Sequence, residues 1–136
     1  MRTREQIIEE ARKYLPVFYI RYGTTLAALG LHEILEGGAD PLILSIAKWL
    51  FIANSFSEKG VCRCGGYDTC ALCIRHYYNG NCHGCPVAIT NSYCERTPFM
   101  DFYINPSMIN ARNELNFLIG VAMRIDKLSV DVGGSS

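Results

Sequence analysis

Residues 40–53 read DPLILSIAKWLFIA, a stretch that would be apolar on nearly every side of a helix. Asp40 suits the N-cap, and Pro41 suits the first helical position, where its missing N–H group has no helical partner to lose. A helix that is hydrophobic nearly all round belongs at the centre of a globular fold. The stretch therefore predicts a central helix, with Trp49 mostly buried.

Two helices are predicted ahead of the central one. Thr3 followed by Gln6 is the pattern of a capping box, and the apolar stripe behind it continues until Pro16 interrupts the helix. A second helix is predicted over residues 24–36, capped by one of the two threonines at its start and ended by the glycine pair 37–38.

A last helix is predicted after the cysteine-rich part of the chain. Asn105-Pro106 repeats the start signal of Asp40-Pro41, and an apolar stripe follows from Met108 to about Lys127. This stripe is expected to pack on the central helix. Residues 17–22 fit either a short strand or a helix that continues past a proline kink.

These elements predict a mainly α fold. The expected domain is a single small helical one over residues 1–128, which includes an irregular cysteine-rich insert over residues 57–104. Residues 129–136 end in Gly-Gly-Ser-Ser and are predicted to be a flexible tail.

Composition and charge limit the partners. The 136 residues include 13 Lys or Arg and 13 Asp or Glu, so the formal net charge is zero and no basic footprint for nucleic acid is visible. The longest apolar run, 41–56, is interrupted by Lys48 and is too short to cross a bilayer. Residues 1–13 lack the apolar core of a secretory signal. The protein is expected in the cytoplasm, without a membrane partner.

Seven cysteines carry the strongest chemical signal, and all of them fall between residues 57 and 103: Cys62, Cys64, Cys70, Cys73, Cys82, Cys85 and Cys94. A Cys-x2-Cys pair presents two thiolates to one metal ion, and two such pairs complete a tetrahedral site. The predicted ligands of a structural zinc ion are Cys70 and Cys73, with two from among Cys82, Cys85 and Cys94.

Several alternatives stay open at this point. The cysteines could form disulfides without a metal, although a reducing cytosol opposes them, or an iron–sulfur cluster, since Cys85-Pro86 is similar to the end of ferredoxin motifs. Cys62 and Cys64 could complete a second site or make a disulfide with a spare thiol. His76 and His83 are within reach as substitute ligands, but a surface or capping role is the usual one for a histidine.

The spacing also resembles a known module. Cys70-Ala-Leu-Cys73, Cys82-His-Gly-Cys85-Pro-Val and Cys94-Glu-Arg-Thr-Pro-Phe are similar to the cysteine-rich module of small uncharacterised proteins of tailed phages and related viral genomes. The resemblance implies a metal-supported fold in a viral accessory protein, located inside the host cell, and implies no activity. This chain departs from the module by adding Cys62 and Cys64, and by having Thr90-Asn91 where the module has Thr-Gly.

No catalytic constellation is evident in the sequence. Four thiolates fill every coordination position of a zinc ion, whereas catalytic zinc keeps one position open for water. No P-loop, dinucleotide motif or deaminase signature occurs in the sequence. The chain is therefore predicted not to be an enzyme. It is expected to be a protein-interaction or regulatory module whose protein partner and oligomeric state the sequence leaves open, with a nucleic-acid-binding zinc module as the alternative.

Overall fold

The computed structural model describes residues 1–21, 25–59, 77–78, 81–82, 98–105 and 107–133. Within them the chain is mainly helical, as predicted. The helices are α1 (Arg4–Arg12), α2 (Leu31–Glu36), α3 (Pro41–Lys59), α4 (Pro98–Ile104) and α5 (Met108–Gly133), with a 3-10 turn at Leu15–Val17. Two antiparallel strand pairs join β1 (Phe18–Arg21) to β2 (Thr25–Ala28) and β3 (Tyr77–Tyr78) to β4 (Asn81–Cys82).

Helix α3 lies at the centre of the fold, as the sequence predicts. Asp40 is its N-cap, because the Asp40 Oδ1 atom accepts a hydrogen bond of 2.9 Å from the backbone N–H of Leu42. Every residue from 42 to 49 is buried, so all sides of this part of the helix meet other elements. Trp49 is only 3% exposed, which confirms its predicted burial.

Helix α5 packs along α3, and this is the most extensive contact between described elements. The predicted start at Asn105-Pro106 is wrong by two residues, because Ser107 caps the helix: its Oγ accepts a 3.1 Å hydrogen bond from the N–H of Asn110. Asn105 instead ends α4, where its N–H donates to the carbonyl of Asp101. At its other end α5 reaches Gly133 and so includes the first residues of the segment 129–136.

The second predicted helix is wrong in its first half. Residues 25–28 form strand β2, which pairs antiparallel with β1 in a register that places Phe18 opposite Ala28. This pairing satisfies the backbone groups along the shared edge of the two strands while Phe18 and Leu26 are buried in the core, and such tertiary pairing outweighs a weak helical pattern. Helix α2 begins only after Gly30, whose φ of 70° is left-handed. The ambiguity at residues 17–22 is thereby resolved in favour of a strand for residues 18–21; Val17 ends the 3-10 turn, and Tyr22 lies outside the described residues.

Helix α1 starts as predicted. The hydroxyl of Thr3 accepts a hydrogen bond from the N–H of Gln6, and the side chain of Gln6 accepts one from the N–H of Thr3, which together form the capping box. Ile7 and Ala11 on its apolar stripe are fully buried. The helix ends at Arg12, before the predicted break at a proline.

The hydrophobic core draws on both ends of the chain. Its main cluster contains buried residues of α1, β1, β2, α3, α4 and α5. Helices on both sides of the segment 60–97 contribute to this cluster, α3 before it and α4 after it. Among the described residues, no helix is long and apolar enough to cross a membrane.

Candidate functional site

The predicted zinc ligands fall almost entirely outside the part of the chain that the structure describes. This holds for Cys70, Cys73, Cys85 and Cys94, and also for Cys62, Cys64, His76 and His83. Cys82 belongs to strand β4, where its backbone pairs with that of Tyr77. Within the described ranges, no three His, Cys, Asp or Glu side chains come together as a metal site. The zinc centre therefore stays a prediction.

Strand β3 lies between the two predicted cysteine pairs, and β4 ends at Cys82, the first cysteine of the second pair. Tyr77 is opposite Cys82, and Tyr78 is opposite Asn81. The two residues between the strands are Asn79-Gly80, the dipeptide most typical of a two-residue hairpin turn. This dipeptide is a signal in the sequence from which the strand pairing could have been predicted.

The hydrophobic core contains an unusual polar face on α3. Ser45, Lys48 and Trp49 lie within little more than one helical turn, and each is at least 97% buried. The ammonium nitrogen of Lys48 is 5.7 Å from the centroid of the Trp49 ring, within the range of a cation–π interaction. Among the described residues, the hydroxyl of Ser45 has no hydrogen-bond partner. Fully buried lysines are rare in proteins, so this face needs an explanation.

The residues Ser45 and Lys48 have the Ser-x-x-Lys spacing of a known nucleophile pair. Activation of such a serine requires the lysine amine within hydrogen-bond reach of the hydroxyl. The Ser45 Oγ atom has no such contact in the described structure, and both side chains are sealed from solvent. The observed geometry does not assemble an activated nucleophile.

Helix α5 holds a third buried polar residue. Glu114 is 4% exposed and takes part in an interaction of its own. Within the described residues, Glu114 and Lys48 do not form a salt bridge with each other. Lys48 and Glu114 therefore do not join α3 to α5 through a salt bridge.

A second charged cluster ties the first residues of the chain to α5. The Nε and Nη2 atoms of Arg2 each donate a 2.8 Å hydrogen bond to the carboxylate of Asp126, and Nη1 donates one of 2.9 Å to Glu10. The hydrogen bonds from Arg2 hold the pKa of Asp126 below its usual value. The same contacts raise the pKa of Arg2. This cluster is a structural clasp between α1 and α5.

Two large apolar side chains are exposed at the corner between α4 and α5. Ile104, the last residue of α4, is 75% exposed, and Ile109, in the first turn of α5, is 72% exposed. Single exposed apolar residues are common on protein surfaces, but two at one corner add apolar area that a protein partner could cover.

Comparison of the chain with known protein families, with characterised proteins and with solved structures finds no match.

Proposed function

We propose that this protein is a small viral accessory protein in which a helical core carries a cysteine-ligated structural zinc site, and that it acts inside the cell as a protein-interaction or regulatory module. The viral origin is what the resemblance of the cysteine module implies. The zinc site is what the spacing of the cysteines predicts.

The observation that carries the proposal is the position of the cysteine-rich segment in the chain. Residues 60–97 connect α3 to α4, two helices whose described residues share one hydrophobic core. That segment has few aliphatic side chains with which to order itself. A structural zinc ion supplies folding free energy to segments of this kind, because the ligands bind it only when they are brought together.

The pairing of β3 with β4 supports the convergence of the two cysteine pairs. Cys73 precedes Tyr77 by four residues, which span at most about 14 Å. Tyr77 in turn is opposite Cys82, and paired residues in an antiparallel sheet have Cα atoms about 5 Å apart. The chain therefore limits the separation of Cys73 and Cys82 to less than about 20 Å, a necessary condition for one shared ion.

Charge distribution favours a protein partner over nucleic acid. Arg2 is paired with two carboxylates, Arg12 lies 3.5 Å from the carboxylate of Glu9, and Lys48 is buried. Arg2 and Lys48 are engaged in internal contacts and Arg12 in an exposed ion pair, so these three cations do not form a basic stripe of the kind that binds phosphates. The exposed isoleucines at the α4–α5 corner are better suited to an apolar protein surface.

Native mass spectrometry of the freshly purified full chain, combined with a free-thiol count, tests the metal half of the proposal. One zinc ion per chain is expected, lost in a Cys73→Ser variant and retained in a Cys64→Ser variant, which serves as the matched control. Sulfurs paired as disulfides without a metal would refute the zinc site, and bound iron would refute the choice of ion.

Gel-shift titration with duplex and single-stranded probes tests the other part of the proposal, that the partner is a protein and not a nucleic acid. No shift is expected at modest salt for the zinc-loaded protein. A shift whose affinity falls steeply as salt is raised would instead establish the nucleic-acid-binding alternative, because counterion release makes such binding strongly salt-dependent.

A further inference from the structure

We propose that the corner between α4 and α5 is a self-association surface, which docks on α1 of a second copy of this chain. The corner comprises Asp101 and Ile104 of α4 together with Ile109 and Arg112 of α5, and all four residues are exposed. The inference rests on the proposed protein-interaction role and names the partner. It does not depend on the zinc ion.

The corner is held in a fixed shape by one side chain. The amide nitrogen of Asn110 donates a hydrogen bond of 2.8 Å to the carbonyl of Asn105 and one of 3.3 Å to the carbonyl of Asp101. These bonds tie the first turn of α5 to the end of α4, so Ile104 is fixed relative to Ile109. A surface that is already ordered loses little conformational entropy when a partner binds.

Arg112 gives the corner a charge that can be offered to a partner. It lies three residues after Ile109, on the next turn and on the same side of α5. Over the ranges that the structure describes, its guanidinium takes part in no ion pair. Arginine is enriched at protein interfaces, where it lies beside apolar side chains such as the two isoleucines.

The exposed face of α1 carries the complementary charges. Glu5, Glu9 and Arg12 follow one another at spacings of four and three residues, which places them on one side of the helix. Glu9 lies 3.5 Å from Arg12 in an exposed pair, and such a pair competes weakly with a new partner. A second copy can therefore place its Arg112 beside Glu5 and Glu9. Its Asp101 has Arg12 as a counterpart.

An open cleft beside α1 provides room for an apolar side chain. The cleft has a volume of about 360 Å³ and is lined by residues before and within the helix: Arg2, Glu5, Gln6, Glu9 and Glu10. This volume lies in the range of clefts that hold small ligands, so the side chain of Ile109 fits within it. The aliphatic stems of the lining residues supply apolar contact while their polar ends stay in water.

The two surfaces belong to elements that are joined within one chain. Arg4 of α1 donates a hydrogen bond to the side chain of Asn116 on α5, and Arg2 binds Asp126. Each copy therefore offers both the corner and the α1 face, and a twofold contact uses each of them once in either direction. The net charge of zero permits this approach without overall repulsion, whereas the carboxylates on both surfaces disfavour a nucleic acid.

Sedimentation velocity of the full-length purified protein over a range of concentrations tests the inference. A monomer–dimer equilibrium is expected, and it should weaken at high salt because exposed ion pairs are screened. Arg112→Glu and Glu5→Arg should each raise the dimer dissociation constant by about tenfold or more, since every contact occurs twice in a twofold dimer. Lys127→Glu and Glu36→Arg make the same charge changes at exposed positions outside both surfaces, and these matched controls should leave the constant unchanged.

A mixture of the two interface variants gives a sharper test. The dimer of Arg112→Glu places acid against acid, and the dimer of Glu5→Arg places base against base, so neither variant pairs well with itself. In an equimolar mixture both contacts join opposite charges again, and a heterodimer should form with close to wild-type affinity. Circular dichroism spectra that match the wild type establish that both variants fold. If Glu5→Arg disturbs the start of α1, Glu9→Arg takes its place in the mixture.

The outcomes are distinct. Dimers that are weakened in Arg112→Glu and recovered on mixing support the inference. A wild-type chain that stays monomeric at the highest concentration overturns it, and so does a dimer that is equally strong in Arg112→Glu. Either of these results leaves the proposed function standing with a different protein as the partner, whereas nucleic-acid binding in the gel-shift titration overturns that function without any change in the sedimentation result.

Discussion

The rings of Trp49 and Phe102 meet edge to face, with centroids 4.9 Å apart and planes at 89°. This arrangement is favoured for aromatic pairs because the positive edge of one ring meets the negative face of the other. The contact joins α3 to α4 across the whole cysteine-rich segment. Trp49 fluorescence should therefore report whether α4 is docked on the core.

Phe102→Ala should lower the free energy of unfolding by about 3–5 kcal/mol, because it removes a large side chain that is 1% exposed and leaves a cavity against Trp49. Urea unfolding followed by circular dichroism and by the fluorescence of Trp49 measures the change. Ile104→Ala on the same helix is the control, and its exposed side chain should cost less than about 0.5 kcal/mol. Equal losses in the two variants would show that Phe102 does not hold α4 on the core.

Asp126→Asn should weaken the clasp between Arg2 and α5 by about 1–2 kcal/mol at neutral pH, the scale of charged hydrogen bonds at a partly exposed site. The folded pKa of Asp126 lies below its unfolded value, so its contribution is present above about pH 4 and is lost as pH falls through the folded pKa. The acid limb of the stability–pH curve should therefore be flatter in Asp126→Asn than in wild type.

The control for this clasp is Glu9→Gln. Glu9 and Arg12 lie 3.5 Å apart with both side chains largely exposed, so loss of this pair should leave stability nearly unchanged. An acid limb that is equally steep in wild type and Asp126→Asn would contradict the assignment of the pKa shift to Arg2.

Gly120→Ala should stabilise the protein by about 0.5–1 kcal/mol. The glycine lies on the exposed side of α5, where an added Cβ atom would meet nothing within 4 Å, and alanine is the better helix former. Gly30→Ala should have the opposite effect, because the φ of 70° at Gly30 strains any residue with a side chain. The midpoints of thermal unfolding of the two variants and of the wild type measure these effects. A destabilised Gly120→Ala would show that this face of α5 is covered.

Chelation under reducing conditions should make residues 62–103 sensitive to protease while α3 and α5 persist. Structural zinc in small domains contributes on the order of 10 kcal/mol of apparent binding energy, more than the 2–4 kcal/mol typical of a disulfide. Mass spectrometry of limited digests locates the cuts. Cleavage within α5 at the same rate as within the cysteine-rich segment would show that the core depends on the metal.

The sequence predicts the helices best where a local signal and an apolar pattern agree. Asp40-Pro41 marks the start of α3 because the cap and the proline act on neighbouring backbone groups and need no distant partner. Strand β2 was missed for the opposite reason. Residues 25–28 become a strand by pairing with residues 18–21, and that partner lies outside any local pattern.

The polar features of the core were less predictable still. Lys48 interrupts an apolar run in the sequence, and only the packing of α3 on all sides shows that its ammonium is buried over a tryptophan ring. Ser107 caps α5 in place of Asn105 because α4 extends to Ile104 and uses Asn105 for its own end. Both outcomes depend on neighbouring elements whose positions the sequence pattern does not contain.

Helix α3 has a consequence for the protein as it leaves the ribosome. Its apolar sides are completed by α5, yet about 50 residues separate the end of α3 from the start of α5. At about 5–20 residues per second, α3 waits several seconds for its partner. During that interval, the apolar surface of α3 is exposed, so it can bind chaperones or aggregate. Early ordering of the intervening segment would let α5 dock on α3 sooner.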